Sequence, residues 1–363
     1  MISLGFMTLD LHNEHSYFTE IAKRAHNHHI ICYRFIPSKI NPITEIIEGE
    51  IYDANNYRWT KKSFYLPDVL YDRCFYGDDF HSKQCKAIIN WIKGKENIQF
   101  LGFGFPNKLE LYEVLYQSKL SAYLPKTVSI VSTQTVDSYV KELNKIIIKP
   151  IDGAQGNGVY LIEKENINII VKTDKEKKQV SRTFSKHSTY LSWLERVLSK
   201  REYLLQPFLS LQNENNQPFD IRSLLQRDQH GNWITVGKGI REGRKDGIVS
   251  NLSLGGTVIP FEAWSKGINE PTRNFVIEEI EDILQNLPPI LENHFSPLFE
   301  LGVDIGVARD GSVWILDINS KPGRKVLLLS DPELKEYLYE SPLLYTKWLM
   351  ERRENTHEKT LSD

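Results

Sequence analysis

The chain has 363 residues, 40% hydrophobic and 25% charged, which excludes a disordered composition and exceeds what one hydrophobic core usually holds. With 45 basic against 47 acidic side chains and a formal charge of −2, it lacks the bulk positive charge of a nucleic-acid binder, so any anion site must be local. Cys32, Cys74 and Cys85 have no C-x-x-C spacing and cannot pair evenly, which excludes a disulfide framework and suits a reducing compartment.

The first residues carry no basic stretch ahead of an apolar one, and no run of about 18 apolar residues follows anywhere, so neither a signal peptide nor a membrane span is predicted. Residues 1–100 alternate between strand patterns at 2–7, 30–35, 69–73 and 98–103 and helix patterns at 17–28 and 79–93. That order favours a mostly parallel sheet with helices on its faces. The polar stretch 41–62 has room for a hairpin. Asn107 can cap a helix over 108–118, and Leu124-Pro125 opens a new strand at 127–131. A middle lobe then closes with a helix at 189–199.

The rest is strand-rich, with strands at 203–209, 219–227 and 233–239, a helix at 271–287, and strands at 302–308 and 313–318. Asp310-Gly311 is a strong hairpin signal between the last two. The charged residues after Met350 read as a mobile tail. The predicted fold class is α/β with α+β character in three lobes: 1–105, 106–202 and 203–350, with 351–363 as the tail.

Within the middle lobe, the β-branched run Ile146-Ile147-Ile148 ends in Lys149 and passes into a loop holding Gly153, Gln155, Gly156 and Gly158. Glycines let backbone N–H groups approach an anion, and the lysine adds charge, as a triphosphate grip requires. A plain hairpin with a solvent-reaching lysine would carry the same residues. The lysine precedes the glycines, so this is not a Walker loop.

In the last lobe, Asp304 lies on one arm of the Asp310-Gly311 hairpin, and Asp317 and Asn319 lie two apart on the other, sharing a face. Two carboxylates and an amide carbonyl form a hard oxygen set suited to Mg²⁺, with Mn²⁺ as its substitute. Arg222 and Arg241 occupy strand positions from which a guanidinium can fork onto phosphate. Asn251 with Gly255 and Gly256 offers backbone N–H groups to a developing oxyanion. The strand Gln206-Pro207-Phe208-Leu209 passes between lobes and suits a flat purine. Arg73, ending a strand of the first lobe, can meet a substrate carboxylate or form a structural ion pair.

In this order and spacing, these motifs over residues 105–325 resemble the ATP-grasp superfamily, with glutathione synthetase the nearest well-understood pattern. The whole chain resembles the YheC/YheD group of coat-associated ATP-grasp proteins of endospore-forming bacilli. The resemblance implies an ATP-grasp fold in which 1–105 is the preceding α/β domain, 106–202 the central subdomain and 203–350 the metal-bearing one. It further implies ATP phosphates on Lys149 and the 153–158 loop, adenine at 206–209, Arg241 on the transferring phosphoryl group, and Mg²⁺ on Asp304, Asp317 and Asn319.

The expected activity is an ATP- and Mg²⁺-dependent carboxylate–amine ligase acting through an acyl-phosphate on small-molecule or peptide substrates. The alternative is a non-catalytic, nucleotide-binding module of spore-coat assembly with coat proteins as partners. A cytoplasmic protein of the mother cell, or one joined to the coat, is expected. Two departures from the pattern stand out. Asp317 replaces the usual glutamate, an arm shorter by ~1.5 Å, and neither Lys108 nor Lys126 aligns with a second upstream lysine.

Overall fold

In the computed structural model, residues 1–151, 158–175 and 178–362 are described, with side chains through residue 355. The first sheet holds β1 (Ile2–Met7), β2 (Ile30–Phe35), β3 (Ile47–Asp53), β4 (Arg58–Phe64), β5 (Val69–Asp72) and β6 (Gln99–Phe100) in the order β4-β3-β2-β1-β5-β6. Strands β1, β2, β5 and β6 run parallel, and the β3–β4 hairpin adds an antiparallel edge in the polar 41–62 region. Leu4 and Phe6 face α1 (His15–Ala25), while Met7 faces α2 (Phe80–Lys93), so the central strand is buried on both sides. Chain leaves β1 and β5 toward opposite faces. A crevice therefore opens at their C-terminal ends, where open α/β sheets hold ligands.

The second sheet, β11-β10-β9-β8-β12-β7, is built from β7 (Val128–Ser129), β8 (Lys145–Pro150), β9 (Tyr160–Glu165), β10 (Asn168–Lys175), β11 (Lys178–Phe184) and β12 (Tyr203–Pro207). Ahead of it comes α3 (Lys108–Tyr116), whose N-terminal amides at Leu109 and Glu110 donate to the Asn107 side chain, as the sequence predicts. Helices α4 (Thr133–Leu143) and α5 (His187–Leu198) cover one face, and Val136, Val140, Ile146, Ile148 and Leu194 close a core drawn wholly from this segment.

The third sheet, β15-β14-β13-β16-β17, comprises β13 (Phe219–Arg227), β14 (Trp233–Glu242), β15 (Thr257–Pro260), β16 (Glu300–Val307) and β17 (Val313–Asn319). Short α6 (Phe261–Lys266) precedes α7 (Glu270–Phe295), which packs on the apolar face through Val276, Ile280, Ile283, Leu287 and Leu291. This helix continues through Pro288-Pro289, where a propensity argument ends it. Leu287, Pro288 and Leu291 are all buried there, so tertiary packing prevails over the missing amide hydrogens.

After α8 (Lys325–Ser330), the chain ends in α9 (Lys335–Ser362), helical across the residues read as a tail. This helix returns to the first sheet: Leu343 and Tyr345 join the α1-side core, together with Phe299 from the third segment. Arg24 on α1 forks onto Glu336 at 2.9 and 2.7 Å. No helix among the described residues is long and apolar enough to cross a membrane.

Candidate active site between the three sheets

A cleft of about 1330 Å³ lies between the sheets and takes lining from each, including Arg73 of the first, Lys149 of the second and Asp317 of the third. On β8 the alternation is strict. Ile146 and Ile148 enter the core, so Lys145, Ile147 and Lys149 line the cleft. Lys149 Nζ donates to the Leu316 carbonyl at 3.2 Å, reaching the third sheet one residue before Asp317. Burial, with Lys108 nearby, lowers the Lys149 ammonium to about 8, although Asp317 and Asp304 pull the other way.

Register builds the third sheet's contribution. Arg222 pairs with Asp304 across β13–β16, and Asp304 pairs with Asp317 across β16–β17. Asp220 pairs with Arg241 across β13–β14. Residues two apart share a face, so one polar face carries Arg241, Asp220, Arg222, Asp304, Asp317 and Asn319. Arg222 binds both oxygens of Asp304 at 2.5 and 2.9 Å, and Arg241 reaches Asp304 Oδ2 at 2.8 Å while forking onto Asp220 at 2.6 and 2.7 Å. Ser250 Oγ also donates to Asp220.

Burial pushes the Asp304 carboxyl upward, but Arg222 and Arg241 outweigh it and bring it to about 2. For Asp220 burial prevails, and its carboxyl is raised despite Arg241. Gly302 makes room for this ladder: a Cβ there would stand 2.6 Å from Pro322 Cβ and 3.5 Å from Arg222 Nη1.

Asp317 is held by Lys108, whose Nζ lies 3.0 Å from Oδ1 and 3.1 Å from Oδ2. Lys108 is the cleft residue that motif spacing left unassigned. Its sequence signal was a base directly after the Asn107 cap, a position where the helix dipole favours acids. Lys126 is exposed, stacks over Tyr139 at 5.6 Å and is not among the cleft's lining residues.

Gln206, Pro207, Phe208 and Leu209 all line the cleft, with Gln206 Nε2 donating to Thr127 Oγ1 at 2.7 Å and Lys145 Nζ 4.1 Å from the Phe208 ring centre. Asn251 lines it too. Gly255 and Gly256 do not line it. Gly255 has φ +97° and sits beneath Arg244, and a Cβ on Gly256 would meet the Ser250 carbonyl oxygen at 2.5 Å. Gly158, at φ +79°, ends the glycine loop next to Pro150, and Gly153, Gln155 and Gly156 lie outside the described residues.

Arg73 borders the cleft but is wholly buried in a network behind it. It donates to Glu300 Oε1 at 2.9 Å, Glu14 Oε2 at 3.2 Å and the Pro322 carbonyl at 3.2 Å. Arg324 binds Glu300 from the other side, and Tyr71 Oη donates to Glu300 Oε1 at 2.6 Å. The structural half of the two sequence readings of Arg73 is thus the one its contacts describe.

Asp304 and Asp317 supply carboxylate oxygens on paired strand positions and Asn319 an amide oxygen two residues on, a donor set that fits Mg²⁺; the Asn319 Nδ2 lies 3.5 Å from Asp317 Oδ2. Among the described residues no three His, Cys, Asp or Glu side chains are grouped to hold a metal, so water or phosphate oxygens would complete the shell.

Three sheets around a cleft that joins a lysine-bearing strand to an acidic hairpin define an ATP-grasp protein. Residues 97–349 match the family described as YheC/D like ATP-grasp. The chain belongs to this YheC/YheD family. It is 38% identical to the endospore coat-associated protein YheC of Bacillus subtilis (strain 168), over 96% of each chain, and 26% identical to YheD of the same organism, over 84% of this chain and 66% of that protein. The fold is similar to D-alanyl-alanine synthetase A from Vibrio cholerae, with TM-score 0.52 and 10% identity over 98% of both chains. It is also similar to the D-cycloserine synthetase DcsG, with TM-score 0.55 and 12% identity over 96% of this chain and 99% of that one.

Proposed function

We propose that the chain is an ATP- and Mg²⁺-dependent ligase that joins a carboxylate to an amine through an acyl-phosphate. The observation that carries this reading is that Lys149 and the Asp304–Asp317 pair face one cleft from different sheets. Lys149 and Lys108 place positive charge where a triphosphate would lie, and the segment 206–209 at the end of β12 offers an apolar wall for adenine. A carboxylate oxygen of the substrate attacks the γ-phosphorus as the bond to the β-bridging oxygen breaks, releasing ADP. The amine nitrogen then attacks the acyl carbon, phosphate leaves, and the surplus amine proton passes to solvent.

Arg241 and Arg222 stand where charge develops on the moving phosphoryl group, and such chemistry needs mostly positioning and charge neutralisation. Mg²⁺, held by Asp304, Asp317 and Asn319, would supply charge neutralisation on the phosphate oxygens. Lys108 answers for the absent upstream lysine. The substrates are small-molecule or peptide acids and amines, and the likeness to YheC supports a setting in sporulation, in the mother-cell cytoplasm or at the coat.

The test is ADP release by purified protein with pools of amino acids and peptides, with mass spectrometry identifying an amide product. Asp317→Ala is expected to abolish Mg²⁺-dependent release while leaving the far-ultraviolet circular dichroism unchanged; full turnover in that variant removes the metal assignment. The shorter arm of Asp317 favours one second reading, a coat-assembly module that binds nucleotide without using it. Nucleotide binding with no ADP release from any pool would establish that reading instead.

A further inference from the structure

Every carboxylate offered to the proposed metal is already neutralised by a side-chain cation. Asp304 is held by Arg222 and Arg241, and Asp317 by Lys108, with the Lys149 amine on the neighbouring Leu316 carbonyl. A divalent ion at either aspartate would meet these cations at close range, and like charges in a half-buried site repel strongly. Lys108 shows the arrangement most clearly. As the first residue of α3 it opposes the helix dipole, a local rule broken with no gain to the helix.

The geometry points to a counterion exchange: Lys108, Arg222 and Arg241 block the cation seat until a polyphosphate draws them off, so nucleotide and divalent metal bind only as a coupled pair. This inference rests on the ligase reading of the cleft and adds how its ligands must load. The nucleotide's phosphates receive the three cations, the aspartates are left with bare negative charge, and the metal replaces what they lost. Coupling of this kind is reciprocal, so metal tightens nucleotide by the factor that nucleotide tightens metal. It also keeps the empty cleft from collecting divalent ions.

Mn²⁺ alone is the probe, followed by loss of its free electron paramagnetic resonance signal. Without nucleotide, Lys108→Met is expected to bind Mn²⁺ about tenfold more tightly than wild type. Lys108→Gln, which keeps polarity without charge, serves if the methionine disturbs folding. Adding Asp317→Asn to Lys108→Met should remove the gained site. In wild type, a non-hydrolysable ATP analogue should produce the uptake with Lys108 intact, after subtraction of the Mn²⁺ the analogue holds by itself.

Wild-type protein that binds Mn²⁺ without nucleotide as tightly as Lys108→Met overturns the exchange, and so does a lack of gain in both Lys108 variants. Failure of the ligase reading has a different signature: the analogue does not bind wild type, while the nucleotide-free gain in the Lys108 variants stands.

Discussion

Lys149 sits at the meeting point of two sheets, and under the proposed ligase reading its lowered ammonium would tie nucleotide affinity to pH. Below about 8 the side chain is charged and ready for phosphate; above it, a proton must be taken up on binding. Affinity for an ATP analogue should therefore fall as pH rises through about 8, with proton uptake visible by calorimetry in buffers of different ionisation enthalpy. Lys149→Arg should bind without that fall, and an unchanged pH profile would separate Lys149 from the phosphates. The stability sign runs oppositely. Between about 8 and the ordinary lysine value of 10.5, the unfolded chain binds more protons than the folded one, so this group raises nucleotide-free stability with increasing pH.

Much of the site was legible at this scale because alternation alone orients Lys149, Asp304, Asp317 and Asn319. The unread part was tertiary. Nothing local tells that Asp317 takes Lys108 from 209 residues away, or that Arg73 turns from the cleft to Glu300.

Among elements, the segment after β14 is pinned to the second sheet. Asp174, near the end of β10, accepts the backbone N–H groups of Ile248 and Val249 at 2.8 and 3.2 Å, with Arg244 Nη2 at 3.3 Å. A strand of the second sheet thus latches the cleft-lining loop 246–253 to its own lobe. Asp174→Ala should lose about 1–3 kcal/mol of local protection. Hydrogen exchange at Ile248 and Val249 would read this directly, and unchanged exchange at both amides would mean the latch carries no load.

Sequence reading found β13 at its observed bounds, where the buried aliphatic Ile221, Leu224 and Leu225 are interleaved with buried polar residues. It missed α4, whose Thr-Gln-Thr-Val start looks extended although Ser132 caps it, and the β10–β11 hairpin, whose outer strand is almost wholly exposed. In α9 the charged end hid a helix anchored far upstream by Leu338, Leu343 and Tyr345.

Across the whole molecule, the first and third segments are fastened together, α3 packs into the third segment's core through Leu111 and Leu115, and the second sheet with α4 and α5 stands on its own core. Phe299 stacks on Tyr345 at 5.1 Å and meets Tyr71 edge-on at 5.8 Å, beside the buried Glu300 network. Phe299→Ala should destabilise the first and third segments together by ~3–5 kcal/mol. Native-state hydrogen exchange should show both losing protection while Val136, Val140 and Ile148 keep theirs; loss spread evenly over all three would contradict this division. Across the cleft the second sheet meets the third segment through Lys149, Asp174 and Gln179.

The most direct test of the shared cleft is MgATP consumption by wild type and Lys149→Ala in the presence of mixed amino acids and peptides. The account predicts ADP and an amide product from wild type and neither from the variant. Equal ADP release from the two proteins, or none from wild type with any acid and amine, would contradict it.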